Sequence, residues 1–119
     1  MIKINIENKT DYLLVSLGGI LDGSQAGPVS HKISLALVEN DTEQEIKTNL
    51  IIDISDLHYI SSGGLGLLLS IHRKVKDAGY KMIICNPSAM VSDLLTTTGM
   101  YGVLQVQPSV ASAIKTIRT

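Results

Sequence analysis

The sequence has no tryptophan and no phenylalanine, and its aromatic residues are four tyrosines. Proteins that bind single-stranded nucleic acid commonly stack bases on several aromatic side chains. Neither sign of charge is in excess, because the sequence has 10 lysines and arginines and 11 aspartates and glutamates. The formal net charge is -1. Since both a stacking platform and a basic footprint are missing, we expect no nucleic-acid partner.

Cysteine and metal-binding motifs are equally scarce. The single cysteine, Cys85, cannot form an internal disulfide or a cysteine-based zinc site, and its apolar neighbours favour a buried strand position. His31, His58 and His72 fit neither a metal-binding pattern nor a catalytic triad. We therefore expect no metal, no cofactor and no intrinsic enzymatic activity.

Long hydrophobic runs are missing as well. No segment reaches the roughly 18 apolar residues that a membrane span needs, and the N-terminus lacks the pattern of a signal peptide. We expect a cytoplasmic protein without membrane insertion. The 119 residues, 45% hydrophobic and 18% charged, are typical of one globular domain over residues 1–119.

Hydrophobic periodicity predicts the element order β-β-α-β-α-β-α-β-α. Two segments at residues 2–7 and 12–17 form a hairpin, and a continuously apolar strand at residues 49–54 is typical of the middle of a sheet. Shorter strands follow at residues 80–85 and 103–106. Strands and helices alternate after the hairpin, which predicts an α/β fold with a mixed, mostly parallel sheet of about five strands and about four helices.

Capping residues predict where the helices begin and end. Ser24 is the expected N-cap of the first helix, with Pro28 in its first turn. Gly79 ends the second helix, residues 86–88 open the third, and Gly99 follows its end. A terminal helix begins at residues 108–109.

The most informative segment, residues 50–76, combines a buried strand, two serines, two glycines and an amphipathic helix. Ser61 and Ser62 therefore lie where a helix begins, so that backbone N–H groups lack partners and negative charge is favoured. A hydroxyl at this position can cap the helix, belong to a phosphate-binding loop, or itself carry a phosphate. The residues leave these three roles open, although they match neither a P-loop nor a nucleophile elbow.

A helical projection of this second helix separates two faces. Six residues share the sector expected to face the sheet: Leu65, Leu68, Leu69, Ile71, His72 and Val75. Gly66 and Ser70 fall on the opposite face, and Leu67 falls on the flank as an exposed apolar side chain. We predict that these three residues contact a partner, and that the absence of a side chain at Gly66 permits its close approach. Gly63 and Gly64 either ease the turn into the helix or serve the same contact.

Together these motifs resemble those of STAS-domain proteins of the anti-sigma factor antagonist family, over essentially the whole chain. Residues 19–22 resemble its G-x-L-D turn, and residues 60–66, which read I-S-S-G-G-L-G, resemble its I-D-S-[ST/A]-G-L-G loop. Residues 51–54 resemble its central strand, and residues 86–88 and 94–99 resemble its next helix with the following glycine. The resemblance implies a STAS fold.

The resemblance also implies a function, because members of this family switch partners on phosphorylation. They bind an anti-sigma factor that is also a serine kinase, are released when it phosphorylates the serine after the motif's aspartate, and are restored by a PP2C-type phosphatase. That serine corresponds to Ser62, while Ser61 occupies the aspartate position and is a rival acceptor. The partner is then expected to dock over Asp22, Ser61, Ser62, Gly63, Gly64, Gly66, Leu67 and Ser70.

Two other functions stay open. In the first, the chain is a STAS scaffold or a transporter-associated subunit whose serine is never modified. Alternatively, the loop binds a small ligand or a nucleotide. An uptake of phosphate from a kinase favours the first function, and a thermal shift with nucleotide favours the last.

Overall fold

The computed structural model describes residues 2–38 and 44–119. Its five strands form one sheet in the order β1-β2-β3-β4-β5. Their bounds are Ile2–Asn8, Tyr12–Leu21, Asn49–Ile60, Met82–Cys85 and Gln105–Gln107. β1 is antiparallel to β2, and all other neighbouring strands are parallel. The predicted mixed, mostly parallel sheet is confirmed.

In the part of the chain that the structure describes, four α-helices cover this sheet, and their order is the predicted one. Their bounds are Gly23–Leu37 for α1, Ser62–Asp77 for α2, Ala89–Thr97 for α3 and Val110–Ile117 for α4. A short 3₁₀ helix, Met100–Gly102, precedes β5. Within residues 2–38 and 44–119, no helix combines the length and the apolar character needed to cross a bilayer.

The two faces of the sheet carry separate hydrophobic clusters. The larger one joins inward side chains of β1 to β4 with those of α1, α2 and α3. On the other face α4 buries Ala113 against a smaller cluster that includes Ile51 and Cys85. Burial, and then the negative charge of Asp53, raise the pKa of the Cys85 thiol to about 12. The predicted buried strand position of this cysteine is confirmed.

β2 and β3 both run further than their apolar patterns predicted, to Leu21 and Ile60 rather than to residues 17 and 54. Their pairing continues through two register shifts and ends with Leu21 opposite Ile60. Glycine eases this pairing, because a Cβ at Gly18 would lie only 3.2 Å from the Cβ of Asp56. The longer strands carry the chain directly into the first turns of α1 and α2.

α1 begins earlier than predicted, and the expectation that Ser24 caps it was wrong. The N-cap is Asp22, whose Oδ1 accepts hydrogen bonds from the Ser24 backbone N–H at 2.8 Å and from the Ser24 hydroxyl at 2.6 Å. The Asp22 backbone N–H donates in return to Oε1 of Gln25 at 3.2 Å. Because these bonds form a capping box around Asp22, the helix starts directly after Asp22, and Pro28 lies inside it rather than in its first turn.

Candidate functional site

The carboxyl ends of β2 and β3 bring the first turns of α1 and α2 side by side. Leu21 and Ile60 are paired residues, and the Ser61 N–H donates to the Leu21 carbonyl oxygen at 3.0 Å. Asp22 follows β2 as the N-cap of α1, and Ser61 follows β3 as the N-cap of α2. Two helix N-termini, each with free N–H groups and a positive dipole end, therefore meet at one edge of the sheet.

The two adjacent serines have different roles at this edge. The Ser61 side chain is half-buried and its Oγ accepts a hydrogen bond from the Gly64 N–H at 3.3 Å. Ser62 is the first residue of α2, is exposed, and has a hydroxyl that bonds to no other described residue. Ser61 is thus engaged in capping, a task that serine and aspartate perform about equally well. Ser62 offers the free hydroxyl.

Gly63 and Gly64 allow the two first turns to touch through bare backbone. A Cβ at Gly63 would lie 2.8 Å from the Cα of Gly23, and one at Gly64 would lie 2.6 Å from the Leu21 carbonyl oxygen. Both distances are below the 3.0 Å that real Cβ atoms essentially never undercut. These glycines therefore serve the turn between strand and helix. Gly64 is also buried, which favours the first of its two predicted roles, easing the turn, over contact with a partner.

The outer face of α2 is open where the projection predicted it. Gly66 and Ser70 are exposed, and outside its own helical turn a Cβ at Gly66 would meet no described atom within 4 Å. Leu67, by contrast, is 5% exposed and belongs to the larger core. The prediction of an exposed Leu67 was wrong because α2 packs against α1 as well as against the sheet. The sheet and α1 together bury a wider sector of α2 than the sheet alone would.

Two exposed apolar residues beside this edge escaped the sequence analysis. Ile20 is 43% exposed and Tyr59 is 45% exposed, and they are neighbours across β2 and β3. Each lies two residues before a helix cap, Asp22 or Ser61. Strand alternation could have found them, because each lies one residue before a buried strand residue and so points to the opposite face of the sheet. It was missed because the predicted strands stopped too early.

The electrostatics of the two helix starts differ. Hydrogen bonds from the Ser24 hydroxyl, and then from the Ser24 N–H, hold the pKa of Asp22 below its usual value. The dipole of α1 is therefore met by a carboxylate. The first turn of α2 contains no acidic residue, so its positive end is met only by a neutral serine cap. An anion attached to Ser62 would find this end unneutralised.

Comparisons with known proteins agree with this fold. The pattern of the STAS domain matches residues 3–113. The "Anti-sigma F factor antagonist" of Paenibacillus polymyxa is 22% identical over 113 residues, which are 95% of this chain and 92% of that protein. The anti-sigma factor antagonist SpoIIAA, solved in its unphosphorylated form, is 25% identical with a TM-score of 0.78 over 98% of this chain and 96% of that chain.

A third neighbour is much larger than this chain. The murine anion transporter Slc26a9 contains a segment with the same fold, at a TM-score of 0.76 and 17% identity. The match covers 94% of this chain but 18% of the transporter. The fold is thus found both alone and as part of a membrane protein.

Proposed function

Because this chain belongs to the STAS domain family, we propose that it is a partner-switching regulator. Its unphosphorylated form binds and antagonises an anti-sigma factor that is also a serine kinase. Phosphorylation of Ser62 releases that partner, and a PP2C-type phosphatase restores binding. The name of the Paenibacillus relative supports the antagonist role. The structural observation that supports it most is the exposed hydroxyl of Ser62, which bonds to no other described residue and lies at the start of a helix with no acidic residue in its first turn.

Ser62 is a better acceptor than Ser61 for a physical reason. Phosphorylation of Ser61 would modify the atom that accepts the hydrogen bond from the Gly64 N–H, and a helix cap contributes about 1 kcal/mol. Modification of Ser62 breaks no hydrogen bond between described residues. The exposed side chain is also accessible to a kinase. The modified hydroxyl in this proposal is therefore that of Ser62.

The proposed docking surface has two parts, one on α2 after Ser62 and one at the ends of β2 and β3. One is the open strip of α2 formed by Gly66 and Ser70, and the other is the apolar pair Ile20 and Tyr59. Asp22, which is half-buried, lies in the connection from β2 to α1. Exposed aromatic side chains are frequent centres of binding energy, so Tyr59 takes the role that the buried Leu67 cannot fill.

Intact-mass measurement after incubation with the cognate kinase and ATP tests the proposal. The wild-type chain is expected to gain one phosphate, Ser62→Ala none, and Ser61→Ala still one. Ser61→Ala is the matched control, because it removes the neighbouring hydroxyl, and with it the cap of α2, but leaves the Ser62 hydroxyl in place. A phosphate that persists in Ser62→Ala would contradict the assignment. A wild-type chain that gains no phosphate from the cognate kinase would instead indicate a STAS scaffold whose serine is never modified.

Gly66→Arg is expected to reduce binding of the anti-sigma factor by at least about tenfold, because a long side chain holds the two surfaces apart. The fold should be preserved, since no described atom outside its helical turn lies within 4 Å of a Cβ at Gly66. Gly102→Arg is a matched control, because that position is equally open and lies in the 3₁₀ helix next to β5. Titration calorimetry measures both variants. Unchanged affinity in a folded Gly66→Arg variant would exclude this contact.

A further inference from the structure

β1 and β5 are the two edge strands of the sheet, and β1 is the longer of them. β1 has seven residues, whereas β5 at the opposite edge has three. Among residues 2–38 and 44–119, no strand pairs with the outer side of β1. Unpaired N–H and C=O groups along such an edge form a template for another strand. β1 also contains no proline that would block pairing.

We propose that this edge binds β1 of a second copy of the chain, antiparallel, about a two-fold axis through Asn5. Asn5 is the middle residue of Ile2–Asn8, so this register pairs all seven residues of both strands. It places Lys3 of each copy opposite Glu7 of the other. Cβ atoms of directly opposed residues are about 4.5–5.5 Å apart, and opposite charges there stabilise the pairing.

The alternation of β1 supports the same register. Lys3, Asn5 and Glu7 are exposed on one face of the strand. Three half-buried isoleucines pack on the larger core from the other face: Ile2, Ile4 and Ile6. In the proposed pair, Ile4 lies opposite Ile6 of the second copy and covers its remaining exposed surface. The hydrophobic layer under the helices would then continue across the axis.

Other registers are less favourable. An axis through Ile4 or Ile6 leaves part of the strand unpaired and places both charged residues opposite something other than their complement. A parallel in-register pair would bring Lys3 beside Lys3 and Glu7 beside Glu7, and like charges in these positions are destabilising. The antiparallel register about Asn5 is thus the one in which full overlap, charge and apolar pairing agree.

The pairing joins two five-stranded sheets into one of ten strands. Since β1 of the second copy runs antiparallel to β1 of the first, the carboxyl ends of β2 in the two copies point in opposite directions. The two Ser62 edges are therefore far apart and free for partners. The inference does not depend on the proposed function of Ser62.

Sedimentation equilibrium over a range of concentrations tests the proposal. We expect reversible association of the wild-type chain from a mass of 12.8 kDa to twice that value. Lys3→Glu opposes like charges at both symmetric positions and should weaken association by at least about tenfold, as should Glu7→Lys. The double variant Lys3→Glu with Glu7→Lys should restore it. Lys115→Glu, an equal charge change on the exposed side of α4, should have no effect.

An equimolar mixture of the two single variants supplies a second measurement. Each variant repels itself, but Lys3→Glu and Glu7→Lys together are fully complementary and should form a heterodimer. Circular dichroism verifies that each variant is folded. A wild-type chain that stays monomeric at the highest attainable concentration would overturn the proposal. So would single variants that still associate, or a double variant and a mixture that do not.

Discussion

Phosphorylated Ser62, or its mimic Ser62→Asp, is expected to bind the anti-sigma factor at least about 100-fold more weakly than the wild type while melting at no lower temperature. A phosphate adds about -1.5 to -2 charges at neutral pH. In the free protein this charge faces the unneutralised N-terminus of α2, where an anion is stabilised by about 0.3–1 kcal/mol. In the complex the same charge must lose its water, and a buried unpaired charge costs about 2–5 kcal/mol.

Two further variants define this result. Ser62→Ala should bind like the wild type and should no longer respond to the kinase. Ser61→Ala should lose about 1 kcal/mol of stability with the cap but still lose its partner on phosphorylation. Calorimetric affinities and thermal melts of the wild type, its phosphorylated form and the three variants separate the effects. A phosphorylated protein that unfolds, or Ser62→Asp with wild-type affinity, would refute the mechanism.

Gly64→Ala is expected to lower the free energy of unfolding by about 2–4 kcal/mol, through overpacking and backbone displacement. The added methyl group would lie 2.6 Å from the Leu21 carbonyl oxygen and 2.8 Å from Cγ1 of Ile60. Both atoms belong to paired, buried strand ends. The first turn of α2 would have to separate from β2.

Gly66→Ala is the matched control, because the same change occurs two residues later in the same helix. With open space around its Cβ outside the helical turn, alanine should raise stability by about 1 kcal/mol through its higher helix propensity. Urea denaturation of both variants measures the difference. Equal stabilities would show that the close contacts at Gly64 relax without cost.

Local pattern was sufficient for the elements of this fold and for the position of the serines. Period-two and period-3.6 spacing identified the strands and helices, and the predicted start of the second helix fell at Ser61 and Ser62 as the structure has it. Leu67 was misjudged because its burial depends on α1, which is distant in sequence. Ile20 and Tyr59 were missed because their strand positions follow from the pairing of β2 with β3. Neither partner is visible from the local sequence.

The depth at which Cys85 is buried makes the protein convenient for site-specific labelling. With a pKa of about 12, the thiol is ionised in roughly one molecule in 10⁵ at pH 7, and only the thiolate reacts with maleimides or iodoacetamides. It is also the single cysteine of the chain. A cysteine introduced at the exposed Ser70 would therefore carry a fluorophore or spin label alone, and report on the neighbourhood of Ser62 without removal of the native thiol.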